Sequence, residues 1–246
     1  MNANLIKRII ILFIIIFQSL SIEADIPESR SVILEDFETY SNIHDFFNKW
    51  LLRDDKEKAV TIYNIEKAGD NRYLNANSKS DSVQVAKKIK WDIKTFPLLS
   101  WRWRAIKLPG NAKENARGRN DSGAAVYVIF QRSNIPFLSW KYQPINVIKY
   151  IWSTSLPIGA VVRKDKQKLG KTIYEGRFIV VESGEDNLGK WIAEERNVLN
   201  DYIKVFGKTP DDDPVLIAIL SDSNDTKTAS AADYDDLIIR KELKEK

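Results

Sequence analysis

Hydrolysis of a glycosidic bond needs two carboxyl groups, held about 5 to 9.5 Å apart across the scissile bond. Glu194, Glu195 and Asp201 lie close together in this sequence, as do Asp222 and Asp225, and these are its candidates for that work. A lyase acting on a uronate would instead use a Tyr base and an Arg to neutralise the acid, and both residue types are abundant. Other chemistries have less material. His44 is the only histidine and no Gly-x-Ser-x-Gly run accompanies it, so a serine triad is not supported. One histidine also cannot build a His-Glu-x-x-His metal site. The chain has no cysteine, which removes disulfides, thiolate metal sites, a catalytic Cys and a lipidated Cys. A bland alternative stands beside the catalytic one: Glu195, Arg196 and Asp201 on one helix would make i, i+4 pairs or anchor a sheet.

Binding needs flat apolar faces with hydrogen-bonding groups at their rim. The aromatic material is Trp101, Trp103, Tyr127, Trp140, Tyr142, Tyr150 and Trp152. Trp101 and Trp103 alternate with Arg102 and Arg104, which reads as core on one face of a strand and charge on the other. Those arginines would bind an anionic ligand or pair with neighbouring acids. Trp140 and Tyr142 are the better contacts, because the proline-containing stretch 132–146 presents them with no strand period to bury them. With Phe137 they form an aromatic loop, and Arg102, Arg104 and Trp152 are the secondary contacts.

Calcium takes six to eight oxygens, so clustered acids are necessary for it and far from sufficient. Asp211, Asp212, Asp213, Asp222, Asp225, Asp233, Asp235 and Asp236 lie close in sequence. The stretch 222–233 has some EF-hand character, but its sixth position is Lys227 where that loop needs Gly. Turn residues and strand-end charges are the plain alternative.

These groups must be positioned by strands. Period-two or β-rich segments fall at 32–39, 60–67, 82–86, 99–105, 124–131, 147–153, 172–182, 215–221 and 237–240, with Gly, Pro, Asn and Asp between them. So many short strands and so little helix predict a mostly β fold, two antiparallel sheets packed as a jelly-roll-like sandwich. One amphipathic helix is expected over 191–206, where Trp191, Val198, Tyr202 and Val205 share a stripe. Gly207 is its left-handed C′ residue and Pro210 prevents its resumption. A second, short helix is expected over 43–52. The polar stretch 110–122 and the aromatic stretch 132–146 are the two long connections, and long loops in a compact domain are often functional.

The chain has 246 residues, 43% of them hydrophobic and 11% aromatic, enough for one real core. Lys7 and Arg8 precede the apolar run 9–17, and a cleavage site follows Ala24. That run is far short of the roughly 20 residues that span a bilayer, so 1–24 reads as a signal peptide and 25–246 as a single exported domain. Contact with the membrane is expected only through that signal before cleavage. Its removal takes away Lys7, Arg8 and Glu23, so the formal charge falls from +4 to +3. The basic run 163–171 contains Asp165 and no interleaved aromatics, so it reads as a solvated loop and no nucleic-acid partner is expected.

The ordered set of Trp101, Arg102, Trp103 and Arg104; the run DSGAAVYVIF at 121–130; Tyr150 and Trp152; Glu195, Arg196, Asn197 and Val198 with Asp201, Tyr202, Phe206 and Gly207; and Asp222, Ser223, Asn224, Asp225 and Thr226 resembles a bacterial family, domain of unknown function 3047. The family's usual Asp-Ser-Asp-Asn-Thr differs here in the order of its third and fourth residues. The resemblance implies a bacterial envelope protein and brings no activity with it. The termini, with Asp36, Phe37 and Glu38 near the start and Tyr234, Asp235 and Asp236 near the end, also resemble jelly-roll carbohydrate-binding modules. That likeness implies a structural calcium held by Glu38 with Asp235 or Asp236. The combined expectation is non-catalytic binding of a carbohydrate or similar envelope ligand in the periplasm. A carboxylate-dependent glycosidase or lyase using Glu194, Glu195, Asp201 or Asp222 is the alternative, and a structural or assembly partner in the envelope is a third reading.

Overall fold

The computed structural model describes residues 30–52, 56–132, 144–168 and 170–243. The expected signal peptide at 1–24, and Phe137, Trp140 and Tyr142 of the aromatic loop, lie outside the described residues. In chain order the elements are β1 (Ser31–Glu35), α1 (Ile43–Lys49), β2 (Leu51–Leu52), α2 (Lys56–Ile62), β3 (Tyr63–Ala68), β4 (Asn71–Lys79), β5 (Val85–Lys88), β6 (Leu98–Lys107), β7 (Ala124–Gln131) and β8 (Ile145–Ser153). They continue with β9 (Val161–Lys168), β10 (Lys171–Ser183), β11 (Ile192–Asn197), α3 (Val198–Phe206), β12 (Pro214–Leu220) and β13 (Ala229–Arg240).

The chain is mostly β, and two sheets pack face to face as a sandwich. The first, sheet A, runs β11-β6-β13-β4-β3, with β1 also on β13. The second, sheet B, runs β2-β5-β12-β7-β8-β10-β9. Pairing is antiparallel except between β8 and β10, which run parallel. Such a pair needs a crossover connection, and β9, antiparallel on the outer edge of β10, forms part of it.

Alternation along β6 puts Leu99, Trp101, Trp103 and Ala105 inside, each at most 1% exposed. Trp101 meets Trp103 edge-on at 5.5 Å and Tyr150 at 5.2 Å, while Trp103 meets Trp152 at 5.9 Å. Aromatic side chains each bury about 150–250 Å², so this band across the two inner faces dominates the core. A second apolar cluster lies on the outer face of sheet B, from Tyr127, Val147, Phe178, Leu220 and their neighbours. Strands β7 and β8 therefore bury both faces and read as near-continuous apolar runs, interrupted in β8 by Asn146 and Lys149.

Several expected elements differ. The described residues hold three helices, one of them α1 inside the expected 43–52 segment. The helix expected over 191–206 begins only at Val198. Its first part is edge strand β11, because Ile192 to Asn197 pair with Trp103 to Leu98 of β6, and that pairing overrides the helical stripe. Asn197 then caps α3, its side chain accepting from the N–H of Asn200, and Gly207 closes it at φ 74°. The expected strand over 60–67 is α2 as far as Ile62 and β3 only from Tyr63. The basic run at 163–171 is mostly edge strand β9, whose polar side chains suit an edge. Strand β13 starts at Ala229, so Asp233 and Asp235 lie in mid-strand and buried, where turn positions were expected.

Candidate functional site

The outward arginines of β6 are consumed by their neighbours. Arg104 binds Asp233 through both Nε and Nη2, and Asn75 holds the other oxygen of that carboxylate at 2.7 Å. Arg102 reaches Asp235 at 2.6 Å and Asp236 at 2.6 Å, and Asn71 also donates to Asp235. The Trp191 ring lies 5.4 Å from the Arg102 guanidinium and 5.0 Å from that of Arg104. Asp236 sits at φ 49°, in the bulge where β13 shifts register against β6. Arg102, Arg104, Asp233, Asp235 and Asp236 thus all have partners within the sheet.

The acids expected to hold calcium do not gather. Asp235 and Asp236 serve Arg102, while exposed Glu38 accepts the Arg72 N–H at 2.9 Å. Among the described residues no three metal-ligating side chains stand together. Trp152, a secondary ligand contact in the sequence reading, is 0% exposed inside the core and donates its indole N–H to the Gly184 carbonyl. Its strand's inward row, Ile148, Tyr150 and Trp152, turns it away from any ligand.

The candidate catalytic carboxylates also separate. Asp201 of α3 accepts two hydrogen bonds from Arg196 and one from the Tyr150 hydroxyl at 2.9 Å, which anchors the helix to the core. Glu195 is exposed beside Arg240. Glu194 is half-buried, with one oxygen that has no hydrogen-bond partner, and burial, reinforced by the charge of Glu182, pushes its carboxyl up to about 7. Glu194 and Glu195 line a cavity of about 250 Å³ with Arg102 and Asp236; Asp222, together with Asp225, lines a different and larger one.

That cavity has a volume of about 450 Å³ on the outer side of sheet B, within the ordinary range for small-molecule sites. Tyr127, Lys149 and Phe178 floor it, and Asn120, Asp222 and Asp225 stand at one side. The floor follows from register. Lys149 of β8 lies opposite Tyr127 of β7 and Phe178 of β10, in an otherwise apolar row between Val147 and Ile151. Its Nζ is 5.3 Å from the Tyr127 ring centre and 4.8 Å from that of Phe178.

Two family motifs build the side wall by interlocking. Asp121 accepts the N–H groups of Asp225 and Thr226 and the Thr226 hydroxyl, at 3.1, 2.7 and 2.7 Å. Asn120 donates its amide to Asp225, and the Ser122 N–H donates to Asp222 Oδ1 at 2.7 Å. Burial raises the Asp222 carboxyl to about 6, although Lys149 and the Ser122 N–H act to lower it. Asp222 was singled out by the sequence; Lys149, Asn120 and Asn224 were not. A single lysine inside the apolar run 147–152 was the signal that could have found the first of them.

The fold and site so far define a two-sheet β-sandwich protein with a polar cavity on one outer face. The chain belongs to the family described as a protein of unknown function, DUF3047, whose model matches residues 48–238. No curated protein matches it by sequence. Among solved structures it is similar to a family 11 carbohydrate-binding module of the cellulase Lic26A-Cel5E of Clostridium thermocellum, at 10% identity and a TM-score of 0.44, covering 87% of this chain and 96% of that one. It is also similar to a family 12 xyloglucanase from Bacillus licheniformis, at 9% identity and a TM-score of 0.41, covering 86% and 94%. A family GH12 endoglucanase 3 from Trichoderma harzianum gives 11% identity and a TM-score of 0.40, covering 72% and 83%. Similarities this distant say nothing of what this chain binds or does.

Proposed function

We propose that this protein is exported to the periplasm by its N-terminal segment and binds a carbohydrate in the cavity on the outer face of sheet B. The observation that carries the reading is the cavity's chemistry. Amide, hydroxyl, carboxyl and ammonium groups from Asn120, Asn224, Ser82, Asp222 and Lys149 converge over the aromatic floor of Tyr127 and Phe178. A sugar ring offers both donors and acceptors at every hydroxyl, so a site of mixed donors and acceptors with apolar faces suits it. A purely apolar ligand would leave the remaining donors and acceptors of those groups unpaired, at about 1–3 kcal/mol each.

The test is thermal unfolding of the purified protein against a panel of envelope polysaccharides and their oligosaccharides. A ligand that binds only the folded state adds about 2.7 kcal/mol at a hundred times its Kd. A shift with one glycan that disappears in Asn224→Ala supports the cavity as the site, and no shift with any glycan sinks the reading.

A second reading, glycoside hydrolysis, draws on one further observation: Asp222 and Asp225 line the same cavity, with the Asp222 carboxyl raised to about 6. Asp222 would protonate the leaving oxygen while the Asp225 carboxylate takes a proton from the attacking water. Release of reducing ends that stops in Asp222→Asn favours hydrolysis; bound but intact glycan favours the binding module.

A further inference from the structure

We infer that the ligand of this cavity carries an oxyanion, and that the Lys149 ammonium is its counter-charge. The inference rests on the carbohydrate reading above and narrows it to an acidic sugar, bearing a carboxylate or a sulfate.

Lys149 is 2% exposed, and among the described residues the other fully buried cation is Arg177, at 3%. Arg177 has its counter-ion, Asp165, at 2.6 Å. Lys149 makes no such contact: no described carboxylate lies within 4.0 Å of its Nζ, although its charge acts on the Asp222 carboxyl of the same cavity. Of its three donors, one reaches a hydrogen-bond partner, the Ser122 hydroxyl at 2.9 Å. Buried charges are ordinarily paired, because an isolated one costs several kcal/mol of lost hydration. The two aromatic rings offset part of that cost and, flanking the ammonium in register, fix its position on the cavity floor.

The surroundings leave the charge for a ligand. Asp222 gives one oxygen to the Ser122 N–H, and Asp225 is held by Asn120. Lys166 of β9 adds a second cation to the cavity lining. Arg102 and Arg104 of sheet A present the opposite case, since each is already bound to aspartate. An oxyanion seated on Lys149 would supply the missing hydrogen bonds and the missing charge together, in the manner of other charge-assisted pairs.

The experiment is isothermal titration of the purified protein with three probes run side by side: oligogalacturonides, the same oligomers with their carboxyls reduced to alcohols, and a sulfated oligosaccharide. Either acidic probe should bind at least tenfold more tightly than the reduced one, and the two acidic arms distinguish carboxylate from sulfate. Lys149→Gln should abolish the preference and Lys149→Arg should restore most of it. Because Lys149 is buried, Asp222→Asn provides a check that does not remove the lysine: deleting a nearby negative charge should tighten binding of the acidic probe severalfold. Equal binding of acidic and reduced probes overturns this inference while leaving carbohydrate binding intact. An acid preference that survives Lys149→Gln overturns it as well. No binding of any of the three, together with no shift across the glycan panel, overturns the carbohydrate reading too.

Discussion

Glu35 is the carboxylate on which the N-terminal part of the chain is tied to the sandwich. It is 4% exposed and accepts the Phe37 N–H at 2.9 Å, the Tyr40 hydroxyl at 2.7 Å, the Trp50 indole at 3.0 Å and Lys87 at 2.8 Å. Burial by itself would raise its pKa, but the hydrogen bonds from Lys87 and Tyr40 and the charge of Lys87 hold it below 4.5. Glu35→Gln should therefore cost about 3 kcal/mol in urea unfolding at pH 7, the usual size for halving a buried pair. A depressed folded pKa gives stability that is complete above the unfolded value and is lost as pH falls through the folded one. The variant's deficit should accordingly shrink below about pH 4. Glu194 has the opposite sign. Its carboxyl is raised to about 7, so its contribution is complete at pH 4 and is lost as pH rises through 7. Glu194→Gln should leave Tm unchanged near pH 4 and raise stability by on the order of 1 kcal/mol at pH 8.

At the scale of elements, α3 illustrates how local signals and sheet pairing divide a segment between them. Its end was legible, because Gly207 takes φ 74° and donates its N–H to the Ile203 carbonyl. A Cβ at Gly207 would meet nothing within 4 Å, so Gly207→Ala should cost about 1 kcal/mol from backbone strain alone. Chemical denaturation measures the loss, and amide exchange should show it concentrated in the last turn of α3. The start of the helix was not legible. Residues 192–197 carry none of the apolar positions of the helical stripe and no clear alternation, and the available edge of β6 decides for the strand. Strand β4 was missed for a related reason. Its Asn71 and Asn75 reach across to Asp235 and Asp233, so a polar segment earns its place through cross-strand hydrogen bonds.

For the whole molecule, the contrast between the core of the sandwich and the outer face of sheet A is testable. Trp152→Ala should cost about 4 kcal/mol, since it removes a fully buried indole packed on Trp103 and its hydrogen bond to Gly184. Trp191→Ala, on the outer face against Arg102 and Arg104, should cost about 1 kcal/mol. Similar losses for both in urea unfolding would contradict the placement of the core. The cavity is also a product of the whole fold. Its floor comes from β7, β8 and β10, and its wall from two loops about a hundred residues apart in sequence, joined through Asp121.

Composition, period-two alternation and turn residues were sufficient by themselves to determine a cysteine-free, mostly β sandwich, the inward direction of Trp101 and Trp103, and the outward direction of Arg102 and Arg104. These properties depend on neighbours along one strand, and the pleat fixes them. The tertiary structure alone decided which charges find partners. Arg102 and Arg104 look available in the sequence, yet Asp233 and Asp235, some 130 residues further on, neutralise them across β6 and β13. Lys149 looks like one charge in an apolar run, yet strand register sets it between two rings, with no described carboxylate within 4.0 Å. A local pattern gives the face on which a side chain stands, and only long-range pairing gives what it faces there.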